Sequence, residues 1–397
     1  MKRAVLLAIA AAAMAAAGCG SGSASGSGNS SSGGSPIGYA VAPSLATSGS
    51  TATATWGILV MGGSAASEDN FWQLFTRPAG SARWSLVTPP GVADNGGLVM
   101  APAGRGPLVV GIRPSQGLVF SPLATTSDDG KTWTPGLVDA GLADVADSLA
   151  VAFASGQQFA LLGNGTIERA PSATASQHVP GWSKLAAPGS IASSAPGKSC
   201  GLSSLAAITV TPSGDLLAGG ACDNPGMAGI FGYSGSTWHA SGPALPGTVA
   251  GDRIQVLRLT ATPAGNVALL LAGQDLFAAW TSDGGARWTA SPPLATGAAR
   301  VSSAAFGSRG AVGVLLSSGK TAMAAGPGSS WQSLPAAPPD TAVLAFIPSA
   351  AHASKAGQVE ALAAKGTRLT VWQLNAPAGR WTSVQTITVP IQYGSSS

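Results

Sequence analysis

Short apolar runs, cut by Gly, Pro, Ser and Asn, fill the chain from about residue 95 onward and read as strands. Segments 98–100, 149–153, 206–210, 256–260, 303–306 and 342–346 are first-strand candidates, each followed by a turn. Second strands are expected at 108–111, 158–162, 215–218, 267–271 and 312–316, and a third strand at 276–280. No segment keeps an apolar period near 3.6 residues, so helices are not expected to carry the core. The Ala-rich piece 361–364 could pass for helix, but the Gly and Pro around it are spaced as in strands.

Tryptophan sets the period. Trp84, Trp133, Trp182, Trp238, Trp288, Trp331 and Trp381 follow one another at intervals of 49, 49, 56, 50, 43 and 50 residues. Four strands of five or six residues with their turns occupy about 40 to 50 residues. Each interval is therefore one four-stranded blade, and the fold class is an all-β propeller of seven blades over 36–397. Two separate β-sandwiches, the rival architecture, would show no fixed period.

Two of the tryptophans close a common motif. Thr126-Ser-Asp128-Asp-Gly130-Lys-Thr-Trp133 returns as Thr281-Ser-Asp283-Gly-Gly285-Ala-Arg-Trp288. The pattern resembles the Asp box, or bacterial neuraminidase repeat, of sialidase-like propellers. Its chemistry is structural. The carboxylate accepts N–H bonds across its own turn, the glycine takes positive φ, and the Trp packs between neighbouring sheets. Asp128, Gly130, Trp133, Asp283, Gly285 and Trp288, with Asp129, are assigned to the scaffold.

Composition narrows the function. Only 9% of residues are charged, and 20 basic against 16 acidic residues leave a net +4 without a basic cluster. Nucleic acid is excluded as a partner on that ground. The 55 Gly and 28 Pro exclude coiled coils and helical repeats, while 11 Trp argue for a packed core.

The N-terminus reads as an address. Lys2-Arg3 precedes an apolar run at 4–17 that is too short to span a bilayer. Ala16-Ala17-Gly18-Cys19 resembles the bacterial lipobox, which implies a signal peptide at 1–18 and lipidation of Cys19. An ordinary secretory signal is the alternative. Residues 19–35 add a Gly/Ser tether to that cysteine, long enough to stand a domain off a membrane. The expected location is the outer face of the cytoplasmic membrane of a bacterial envelope. In such an oxidising compartment Cys200 and Cys222 form a disulfide by default, two buried thiols being the alternative.

Charges gather just ahead of the first strands: Asp94, Asp147, Lys198, Asp252 with Arg253, Arg300 and Asp340. They are candidate rim residues for a polar ligand at a channel mouth, or a solvated rim. The sialidase resemblance implies an arginine triad and a Tyr–Glu nucleophile pair, and the chain departs from both. Its three tyrosines are Tyr39, Tyr233 and Tyr393, and its glutamates are Glu68, Glu168 and Glu360. No catalytic residue, metal or cofactor is assigned, and His178, His239 and His352 lack metal-ligand spacing. The expectation is a monomeric, lipid-anchored, non-catalytic module binding a glycan, a peptide or an envelope protein. A divergent sialidase-like hydrolase or lyase using the rim carboxylates is the alternative.

Overall fold

A computed structural model describes residues 46–51, 53–62, 70–89, 98–102, 108–112, 121–138, 146–152, 155–171, 181–347, 358–374 and 379–390. The chain divides into two compact units, Met1–Gly34 and Ser35–Ser397, and all described residues belong to the second. Cys19, the tether, Asp94, Tyr39, Tyr393, Glu68, His178 and His352 lie outside them.

The strands form successive antiparallel meanders. The first is β1 (Ala46–Ser50), β2 (Ala54–Gly62), β3 (Asn70–Pro78) and β4 (Ser85–Leu86); the second is β5 (Leu98–Pro102), β6 (Leu108–Ile112), β7 (Ser121–Thr126) and β8 (Thr134–Val138). The third is β9 (Ala146–Val151), β10 (Gln158–Leu162), β11 (Ile167–Ala170) and β12 (Ser183–Ala186). Two short helices, α1 (Ser190–Ser193) and α2 (Ala195–Cys200), precede the fourth, β13 (Leu202–Val210), β14 (Leu216–Cys222), β15 (Gly229–Ser234) and β16 (Thr237–Ala240). The fifth is β17 (Ile254–Thr262), β18 (Gly265–Ala272) and β19 (Asp275–Thr281), whose outer edge pairs with β20 (Thr289–Ala290) and β21 (Leu294–Ala295). The sixth is β22 (Val301–Phe306), β23 (Val312–Leu316), β24 (Thr321–Ala324) and β25 (Gln332–Leu334). The seventh is β26 (Thr341–Ile347), β27 (Gln358–Lys365), β28 (Arg368–Leu374) and β29 (Trp381–Thr388).

Burial explains why the inner strands are apolar runs rather than alternating patterns. Every residue of β10, β23 and β24 is buried, because each sheet is covered on both faces by its neighbours. Outer strands such as β4, β16 and β20 are short and largely exposed.

The core is divided among the contacts between consecutive meanders. One cluster joins Trp56 and Leu74 to Val110, another Ala101 and Val109 to Ala160, and so on through the series. A further cluster joins Leu59, Met61 and Phe75 of the first meander to Val343, Leu362 and Val371 of the seventh, so the series returns on itself. Each marker tryptophan belongs to the cluster it shares with the preceding meander: Trp133 with Trp56, Trp182 with Val109, Trp238 with Phe159, Trp288 with Leu217, Trp331 with Val267, Trp381 with Met323 and Trp84 with Leu362. The 50-residue period therefore has a mechanical cause. The indole stands just before the outer strand or within its first two residues and reaches back to lock the neighbouring sheet, as when Trp381 Nε1 donates to Pro335 O at 3.3 Å. The fold is an all-β propeller type.

The seam between the seventh and first meanders uses side chains and a backbone bridge, Gly62 N donating to Gly366 O at 3.0 Å, rather than an exchanged strand. Glu360, 1% exposed on β27, takes an ion pair from Arg77 and a 2.7 Å bond from Trp84 Nε1. The Gln385 amide clasps the Trp84 backbone, accepting from its N–H at 2.8 Å and donating to its carbonyl at 2.9 Å. Ser48 and Ser50 hydroxyls donate to the Leu344 and Phe346 carbonyls at 2.6 and 3.2 Å. Strand β1 also pairs in parallel with β22 of the sixth meander, and Thr47 Oγ1 donates to Ala304 O at 3.0 Å. The channel expected between inner strands is thus occupied by backbone pairing on this side.

Candidate functional site

The best-ordered array of expected site residues lies at the end of the fourth and fifth meanders where their inner strands begin. Helix α2 forms there because Ser194 accepts from the Gly197 N–H at 3.2 Å, a proline stands in the first turn, and Gly201 (φ 64°) stops it in the left-handed region. The stop delivers Cys200 to Cys222, with which it forms a disulfide across a Cα separation of 5.2 Å. The following loop folds back on the helix: Asp223 N donates to Gly201 O at 2.9 Å and Asn224 Nδ2 to Ser199 O at 2.7 Å. Lys198 sits in the last turn of α2, exposed.

Asp252 and Arg253 arrive at the same end through the short 3-10 turn Gly247–Val249. The Asp252 carbonyl accepts from Gly226 N at 2.9 Å, and the Arg253 guanidinium meets Asp223 at 3.0 Å. Arg300 is fixed just before β22 by its backbone, which exchanges bonds with Ser317. Asp340, at φ 61°, faces Lys365 at 3.9 Å. Asp147 falls inside β9 rather than ahead of it.

Two of these charges stand in exposed opposite-charge pairs, Arg253 with Asp223 and Asp340 with Lys365. The Arg253–Asp223 side chains are 68% and 52% exposed, and pairs of this kind contribute about 0 to 1 kcal/mol. Glu360, one of the three glutamates, is spent in the seam. Among the described residues no three His, Cys, Asp or Glu side chains gather as a metal site.

The two Asp–Gly turns lie at the other ends of their strands and are built alike. Thr126 Oγ1 donates to Asp128 at 2.8 Å and accepts from Gly130 N at 2.9 Å, while Thr132 N donates to Asp128 Oδ1 at 2.9 Å. Thr281, Asp283, Gly285 and Arg287 repeat the set at 2.9, 3.0 and 2.9 Å. The donors stabilise each carboxylate: the Thr132 hydroxyl and N–H hold Asp128 at about 2, and the Arg287 N–H and guanidinium hold Asp283 at about 2. Gly130 and Gly285 have φ of 86° and 88°, and a Cβ there would stand 2.9 Å from Val87 Cβ and 2.1 Å from Ser241 Oγ. Each turn thus presses its glycine on the preceding meander. Asp129 takes a 2.9 Å bond from Thr53 Oγ1 in the same sense.

One polar residue on the inner strands escaped the sequence reading. Arg258, fifth in β17, is partly buried, and loss of hydration pushes its guanidinium down to about 10. Its signal was present: a basic residue inside the apolar run 256–260. A shallow pocket of about 300 Å³ lies by the second Asp–Gly turn, lined by Asn266, Trp280, Asp283, Arg287 and Arg309.

The fold is similar to that of a protein from Lactobacillus plantarum, at 14% identity and TM-score 0.55, covering 85% of this chain and 97% of that one. A putative 6-phosphogluconolactonase from Bacteroides uniformis aligns at 13% identity and TM-score 0.45 over 85% and 96% of the two chains. YCF48 bound to a D1 peptide aligns at 16% identity and TM-score 0.43 over 72% and 80%. No protein-family model matches the chain, and no curated protein matches it. At these identities the likeness is one of fold.

Proposed function

We propose that the protein is a non-catalytic binding module of seven blades, anchored by lipid at Cys19 to the outer face of the cytoplasmic membrane. Its ligand is a glycan, a peptide or another envelope protein, met at the end of the fourth and fifth meanders. The observation that carries this reading is the fate of the carboxylates. Asp223 and Asp340 are held by Arg253 and Lys365, and Glu360 by Arg77 and Trp84. Glycoside hydrolysis needs two carboxyl groups about 5 to 10 Å apart across a sugar, one of them an acid with a raised pKa. The carboxylates named here are instead matched with cations. The lipobox-like Ala16–Cys19 and the Gly/Ser tether support the anchor.

A glycan and peptide binding screen, run in parallel with fluorogenic glycosides, tests the reading. Saturable binding without turnover is expected. Turnover that disappears in Asp252→Asn or Asp340→Asn would replace the module with a divergent hydrolase.

A further inference from the structure

The inner strands of the last five meanders share a defect. Each breaks register: β9 between Ala146 and Ser148, β13 between Leu202 and Ser204 and again between Leu205 and Ala207, β17 between Val256 and Arg258, β22 between Val301 and Ser303, and β26 between Thr341 and Val343. A bulge leaves one residue unpaired and re-aims the next. The residue resuming the ladder is small or apolar in the other four strands: Ser148, Ser204 and Ala207, Ser303, and Val343. In β17 it is Arg258.

An arginine in that place brings five N–H donors and a permanent charge. Among the described residues its one hydrogen bond runs from Nη1 to the carbonyl of its neighbour Leu257, at 2.9 Å. Among the described residues no carboxylate pairs with it. On the next inner strand, at the corresponding position, Ser303 Oγ is buried without a hydrogen-bond partner. A partly desolvated cation with open donors is costly to keep unless something anionic completes it. Planar oxyanions match the guanidinium fork.

We propose that Arg258 anchors an anion site among the inner strands, taking one carboxylate- or phosphate-type group of a ligand. The ligand enters from the end where these strands begin, past Arg253 and Asp252. The proposal rests on the binding-module reading and gives its ligand a charge. The rim supplies recognition, and the bulge of β17 supplies the counter-charge within.

Thermal melting of the full chain tests it, in buffer free of oxyanions and then with sodium phosphate or sodium acetate at matched ionic strength. The wild type is expected to melt higher with at least one of the two anions, and the more effective one assigns the group. Arg258→Met should lose that rise and melt no lower than the wild type without oxyanions, because it removes an unpaired charge. Arg258→Lys should retain a reduced rise, and Arg83→Ala, at an exposed arginine just before β4, the full one. Equal rises in wild type and Arg258→Met overturn the proposal. So does an Arg258→Met chain that melts lower than wild type without oxyanions, or fails to fold, since the guanidinium would then be satisfied internally. A glycan or peptide that binds Arg258→Met as tightly as wild type sinks the anion site while leaving the binding module standing. A wild type that rises with an anion but binds no glycan or peptide does the reverse.

Discussion

The two aspartates of the Asp–Gly turns show how little freedom a turn residue has. Asp128 and Asp283 are held at about 2 against 3.8 in an ordinary setting, by hydrogen bonds that only the charged form accepts fully. A depressed pKa stabilises the folded chain above the unfolded value, and that stabilisation fades as pH falls through the folded one. Asp283→Asn is therefore expected to lower the melting temperature at pH 7, with the difference closing between about pH 4 and pH 2. Melting curves of both proteins across that window check it, and a gap that persists unchanged at pH 2 would place the effect elsewhere. These residues were legible because the motif writes its own turn: hydroxyl, carboxylate and glycine act within five positions. Glu360 was not. Its partner Arg77 is 283 positions away, and nothing in either neighbourhood announces the other. Arg258 was overlooked for the opposite reason, being hidden inside a run that already read as a strand.

At the scale of elements, the outer-strand tryptophans were the most readable feature, since each must reach one neighbouring sheet and so repeats with it. Trp84→Ala is expected to cost about 3 to 5 kcal/mol, read by denaturant unfolding. It removes a side chain 2% exposed and orphans Glu360 of a donor. Glu360→Gln should cost a similar amount by leaving Arg77 buried and unpaired, whereas Arg77→Met with Glu360→Leu should cost less than Glu360→Gln. A double variant weaker than the single would show that the ion pair itself, and not the avoidance of a lone charge, holds the seam. The element that resisted reading was β1. Its sequence, Ala-Thr-Ser-Gly-Ser, has no apolar run because its work is done by hydroxyls bonded to carbonyls of other meanders. The short helices α1 and α2 were equally hidden, since their Ser, Ala, Pro and Gly content reads as loop until the Ser194 cap is seen.

Across the whole molecule the period predicted a succession of antiparallel meanders, but not how the series closes. The disulfide between Cys200 and Cys222 ties α2 to β14, and closing a loop of this size is worth about 3 kcal/mol. Cys200→Ser with Cys222→Ser should lower stability by roughly that amount in non-reducing denaturation. Reducing agent should bring the wild type to the same value and leave the double variant unchanged. The closure itself has a further bearing on strength under load. Strand β1 lies antiparallel to β2 and parallel to β22, with its hydroxyls bonded to β26. A pull applied ahead of residue 46 and along the strand would strain these bonds together, in shear. A peeling pull would break them one after another. An end held this way resists extraction better than an outer strand such as β4 or β25 would, so a load that reaches the fold at residue 46 meets a strand bonded along both edges rather than one that can be peeled away.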